Sequence, residues 1–172
     1  MVTVARAIAL RRVLAVVALL AVAVWLGGLI ALGAMAAPIV FSTVPWPSSA
    51  DAMTLVFRRF DTVAMACAAI VLASEAARVL TGSTFARVDR ARALVSLIAS
   101  AAAVLEGLVI SPRIAALHAG GAIRGVVAPG LELARMHDRA EWCGKAELLL
   151  LSVVIVLHVV SLSTPAPERR PN

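Results

Sequence analysis

Glu75, Glu106, Glu147 and His158 fall inside or beside long apolar runs, with Lys145 two places before Glu147. In hydrocarbon a charged group costs roughly 2.5–3.5 kcal/mol on insertion scales, so each needs a partner or a task. The task such groups perform at depth is the handling of a proton or a cation. The plainer alternatives are charge neutralisation between packed helices, or side chains that reach back to the headgroups. Helical rise sorts them by depth. If spans alternate in direction, Glu75 lies about 8 Å from the inner end of its span and Glu106 about 9 Å from the outer end of its own, at about 1.5 Å per residue. These two carboxylates therefore do not share a proton. His158, about 6 Å from the inner end, is level with Glu75. The expectation is an inner layer of Glu75 with His158, Arg78 one turn away, and an outer layer of Glu106 with Lys145, near the depth of Glu147.

No other constellation supports a reaction. Met136, His137 and Cys143 are soft or borderline ligands, but the six-residue step from His137 to Cys143 does not bring them onto one helix face. His118 lies in a glycine-rich loop, and two cysteines, Cys67 and Cys143, are too few for a metal or disulfide framework. Haem would ask for two facing axial ligands, and only His158 lies well inside a span. Gly120-Gly121-Ala122 lacks the GK[ST] of a phosphate loop, and there is no Gly-x-Ser-x-Gly elbow. The reading is of a non-enzyme, with no metal and no cofactor assigned.

The elements that must position these groups are organised around residues 13–41, twenty-nine residues without a charge. About twenty apolar residues cross a bilayer, so this stretch suffices. Basic residues Arg6, Arg11 and Arg12 precede it, as in a signal peptide, but twenty-two uncharged residues from Val13 to Ala34 exceed a secretory core of about 7–15 residues. A retained helix is expected, ended or kinked at Pro38, with Gly27, Gly28 and Gly33 marking close approach of a neighbour. A turn, VPWPSS, follows and puts Trp46 at interfacial depth. Further apolar runs give spans at about 60–80, 93–112 and 142–162, with stops at Thr81-Gly82-Ser83 and at Pro112. A helix starting near Leu131 runs along the interface into the last span, and residues 164–172 form a disordered tail. The fold class is an all-α integral membrane protein: a basic flank at 1–12, then one four-helix transmembrane domain at 13–163.

Composition agrees. Of 172 residues 62% are hydrophobic and 15% charged, against about 25% charged in soluble domains, so the solvent of this chain is lipid. The net charge of +6 comes from fifteen Arg and one Lys that sit between apolar runs, without tyrosine or aromatic interleaving. They are headgroup and topology charges rather than a nucleic-acid surface. Four spans put both termini on one side, and the basic flank of the first helix favours the cytoplasm. The partners expected are membrane lipids, other membrane helices or a second copy. The location expected is the cytoplasmic membrane.

Three motifs, Trp25-Leu26-Gly27-Gly28 leading to Ala37-Pro38-Ile39-Val40-Phe41, Ser111-Pro112-Arg113-Ile114, and Leu133-Ala134-Arg135-Met136-His137, occur in this order. Together the chain resembles bacterial members of the domain-of-unknown-function family numbered 4149, the transmembrane protein 205-like family, from about Trp25 to Leu162. The resemblance implies a four-helix integral membrane protein without established chemistry and transfers no catalytic residue. Members would carry an Asn a few residues after the His that opens the last helix, where this chain has Cys143-Gly144 and Lys145. The Trp-Leu-Gly-Gly and Ala-Pro elements are also similar to the start of copper-resistance membrane domains. Two functions follow as expectations: a structural or accessory membrane component, or a small transporter or metal-tolerance protein handling a proton or cation through intramembrane Glu and His.

Single cysteines at Ser83 and at Gly121, in a Cys67→Ser, Cys143→Ser background, test the topology. Impermeant thiol reagent on intact cells should label position 121 alone. Labelling at 83 alone inverts the protein, and labelling at both removes a span.

Overall fold

A computed structural model describes residues 2–80 and 87–163. The expected stop at 81–83 and the expected tail at 164–172 lie outside them. Helix α1 (Val2–Ile30) passes through a wider π-helical stretch, Ala31–Ala36, into α2 (Ala37–Thr43). After the turn at 44–47 comes α3 (Ser48–Leu80). Helix α4 (Arg87–Leu105) passes through a second π-helical stretch, Glu106–Ile110, into α5 (Ser111–Ala119), and α6 (Val127–Ser163) completes the bundle. Four continuous helical segments, Ala9–Thr43, Ser48–Leu80, Arg87–Ala119 and Val127–Ser161, are long and apolar enough to cross a membrane. The chain is a multi-pass membrane protein, and among the described residues it is all helix and turn.

Pro112, expected to end a span, and Pro38, expected to end or kink one, both leave the helix running. Pro38 and Pro112 each stand in the first turn of a helix, α2 and α5, that continues the one before. A proline removes one donor and clashes with the carbonyl four residues back. Those carbonyls belong to Ala34 and Leu108, and both lie inside the π-helical stretches. Widening the helix there by one residue absorbs the clash, so the helix goes on. Glu106 is consequently deep: the helix runs to Ala119, roughly 20 Å further at about 1.5 Å per residue, not the 9 Å expected from an end at Pro112.

Helix α3 also begins well before the apolar run, at Ser48, where Asp51 in its first turn complements the helix dipole. Asp61, which in sequence flanks the span, is thereby inside it and buried. The expected interfacial piece and the last span are one unbroken helix, α6.

Around the bundle α1 packs on α3 and α6, and α4 packs on α3 and α6. Their common core is Val22, Trp25, Val71, Leu151 and Val154 with small residues Ala21, Ala64, Ala68, Ala99 and Ala103 between them. In lipid there is no hydrophobic drive between helices, and close contact of small residues supplies the attraction instead. A second cluster, Ile110, Ile114, Leu117 and Leu133, ties α5 to the start of α6. Large apolar side chains such as Leu20, Leu149 and Val156 are exposed all around the outside, as a lipid-facing surface requires.

Of the three glycines expected at close contacts, only Gly28 meets a neighbour: a side chain there would run into the ring of Phe60 on α3. Gly27 and Gly33 have nothing within 4 Å. Gly28→Val should therefore weaken the bundle by about 1–3 kcal/mol as Phe60 is displaced. Gly27→Ala should leave stability unchanged or raise it by up to about 1 kcal/mol through helix propensity. Unfolding curves in detergent micelles read both.

Candidate functional site

Two polar centres sit on the bundle axis. The one nearer the end that carries residues 80 and 87 is built on Arg92, which is 1% exposed. It donates from Nε and Nη2 to the two oxygens of Glu75, at 2.8 and 3.0 Å, the two-pronged geometry in which guanidinium and carboxylate match best. Its Nη1 donates to Asp89 Oδ1 at 2.7 Å and to Ser161 Oγ at 2.9 Å. One side chain of α4 thus holds α3 and α6. Arg78 stands 3.8 Å from Glu75 and 3.9 Å from Asp89, so two cations face two carboxylates. His158, fully buried, puts Nε2 3.9 Å from Glu75 Oε1, and neither ring nitrogen has a hydrogen-bond partner. The structure therefore brings Glu75 and His158 to one level, as their depths implied, with Arg78 beside them. Arg92 is what sequence reasoning missed, having counted it among the headgroup charges. A signal existed: Arg92, Ser96, Ala99, Ser100 and Ala103 recur at helical spacing and are the buried face of α4.

The second centre lies mid-bundle. Glu147 on α6 is 2% exposed; its Oε2 accepts the Trp25 Nε1–H at 3.0 Å, and its Oε1 has no partner. Glu106 rises from the π-helical stretch beside it. One ligand atom from each of Glu106, Cys143 and Glu147 lies within 4.8 Å of the others. Asp61 is buried on α3, its Oδ2 unpartnered, against Gly107, where an added Cβ would come within 3.3 Å of the Asp61 Cβ. No described basic group forms an ion pair with Asp61, Glu106 or Glu147.

The expected pairing of Glu106 with Lys145 is not formed. Lys145 is largely exposed, 2.6 Å from Glu141 and over the ring of Trp142 at 5.5 Å. Lys145 lines the same cavity as Glu106, but its ammonium is taken up by Glu141 one turn earlier on α6. Carboxylates do meet, but as Glu106 with Glu147, not Glu106 with Glu75. Of the three soft ligands weighed from sequence, Cys143 joins these acids. Met136 packs on the α5 cluster, and the His137 ring meets His118 edge-on with centroids 5.7 Å apart.

A cavity of about 740 Å³ lies against the three acids; Cys143 is not in its wall. Asp61, Glu106 and Glu147 line its inner part, and His118 and His137 line it further along α5 and α6, toward the 119–127 connection. Leu32 and Gly33 of one π-helical stretch and Glu106 of the other also line it, so both helix irregularities border the same space. Arg58, Arg124 and Lys145 line the same cavity, Arg124 paired with Asp138 and Lys145 with Glu141, so Asp61, Glu106 and Glu147 lie in a space that holds cations but form no ion pair with any of them, and the Cys143 thiol stands beside two of the acids.

The two centres differ in what a mutation does. Arg92→Ala leaves Glu75 buried without its main partner and should cost about 3–5 kcal/mol, whereas replacing both with Met should recover most of that loss. Thermal unfolding in micelles, with circular dichroism, measures the cycle.

Comparison with known proteins covers the first three spans. The family described as Domain of unknown function (DUF4149) matches residues 20–123, more than half of the 172. That range takes in Trp25, Asp61, Glu75, Arg92 and Glu106, along with two of the three motifs. Leu133 to His137 and α6 fall beyond it. No curated protein and no solved structure matches. The chain is a member of the DUF4149 family.

Proposed function

We propose that this protein is a cation-handling component of the cytoplasmic membrane, with both termini in the cytoplasm, working through the mid-bundle acids rather than through Glu75 and His158. The observation that carries the reading is the contrast in neutralisation. Glu75 is met by Arg92, while Asp61, Glu106 and Glu147 share one cavity in whose wall Arg58, Arg124 and Lys145 also stand but pair with none of them, and two of the acids keep an unpartnered buried oxygen. Uncompensated carboxylates in a low dielectric are costly, and a proton or metal cation entering the cavity is what would offset that cost. The Cys143 thiol donates to the Ala102 carbonyl rather than to a base, and the reading is a non-enzymatic one, binding and passage rather than reaction.

The Arg92 cluster favours a second reading, a structural or accessory component whose polar groups lock helices together and whose apolar exterior meets lipids, other helices or a second copy. Reconstitution separates them. Proteoliposomes with an inward gradient of protons or of Zn2+ should take up one of these cations faster than empty vesicles, and Glu106→Gln should lower that rate roughly 10–100-fold. A structural component gives no uptake above empty vesicles in either gradient.

A further inference from the structure

The cavity acids have a partner of different chemistry. Cys143 stands four residues before Glu147 on α6, so the two side chains share one face. Glu106 faces them from the neighbouring helix, and the three ligand atoms lie within 4.8 Å of one another. Ligand atoms around a tetrahedral ion with bonds of about 2.0–2.3 Å sit about 3.3–3.8 Å apart, so closure requires only rotamer-scale movement. Glu147 is 2% exposed, and its Oε1 has no partner while its Oε2 accepts the Trp25 N–H, the outer-sphere hydrogen bond that typically orients a ligating group. Asp61, 7% exposed, adds a second unpartnered oxygen to the same cavity.

We propose that Glu106, Cys143 and Glu147 form a binding site for a borderline divalent transition-metal ion of the Zn2+, Fe2+ or Co2+ class, which rests on the cation-handling reading and names its cargo. The donor set selects this class. A thiolate is a poor ligand for Mg2+ and Ca2+, and two carboxylates are poor ligands for Cu+. Three protein ligands leave a fourth position open toward the cavity, the arrangement of sites that exchange what they hold rather than of closed structural sites. As the metal–sulfur bond forms, Cys143 gives up its hydrogen bond to the Ala102 carbonyl and its S–H proton leaves to solvent, so binding releases a proton and tightens with rising pH. His118 and His137, further along the same cavity, are borderline ligands suited to passing such an ion inward.

Purified full-length protein in micelles is titrated with Co2+, whose thiolate complexes have a charge-transfer absorption in the near ultraviolet, and then with Zn2+. The expected result is one Co2+ per chain with the sulfur band, displaced by Zn2+, in the wild type and in Cys67→Ser. In Cys143→Ser the band is lost and Zn2+ affinity falls at least roughly tenfold. Because Cys143→Ser is a conservative change, its helicity and micelle elution are compared with wild type, and X-ray absorption of the Zn2+-loaded wild type, one sulfur with oxygen neighbours expected, gives a readout free of any variant. Absence of the sulfur band and of a sulfur neighbour in folded wild type overturns the site. If Co2+ still binds there and Glu106→Gln abolishes it, the cation-handling reading survives without the thiolate. If neither Co2+ binding nor cation uptake occurs, both fall. Retention of the band in Cys143→Ser also overturns the assignment.

Discussion

A carboxylate taken out of water must be met by a cation, by donors or by a proton, and this bundle meets that requirement completely in one place and incompletely in another. Where α3, α4 and α6 converge near one end, Arg92 spends its donors on Glu75, Asp89 and Ser161. The pair is a lock: it fixes the rotation of three helices at once, in a medium where apolar burial between helices adds little. Mid-bundle, Glu147 has one donor, from Trp25, and Glu106 and Asp61 have no ion-pair partner. Rigidity at one level and unfinished pairing at the other make a pocket that is held in shape and whose acids have no ion-pair partner.

The backbone supports the same division. Regular α-helices with small residues at their contacts build the level around Val22, Val71, Ala99 and Val154. Beyond it, toward the 44–47 and 119–127 connections, both proline-bearing helices widen into π-helical stretches whose residues line the cavity. A wide turn displaces side chains from regular helical register, which is how Glu106 comes to lie beside Glu147 and Cys143. Prolines that look like terminators are thus part of what shapes the space.

Much of the fold was legible because the bilayer demands about twenty apolar residues per crossing, a signal that needs no tertiary information. Boundaries were not, because Ser48 to Asp61 and Arg113 to Ala119 are helical yet polar enough to read as connections. Depth could be counted, and Glu75 and His158, counted to similar depths, stand 3.9 Å apart. Azimuth could not be counted without knowing which face of each helix is inward. Lys145 was therefore set against Glu106 when Glu147 and Cys143 are the residues that reach it. Arg92 was hidden by its neighbours: Arg87 and Arg90 are topology charges, and only the stripe of Ser96, Ser100 and Ala103 behind it distinguishes the residue that turns inward.

The claim that the mid-bundle acids take a cation is met most directly by infrared difference spectroscopy of purified protein, titrated first with acid and then with Zn2+. The account predicts changes in the carboxylate stretches that disappear in Glu106→Gln and in Glu147→Gln and persist in Arg92→Lys. Carboxylate bands that respond to neither acid nor Zn2+, or a response unaltered in both glutamine variants, would contradict it.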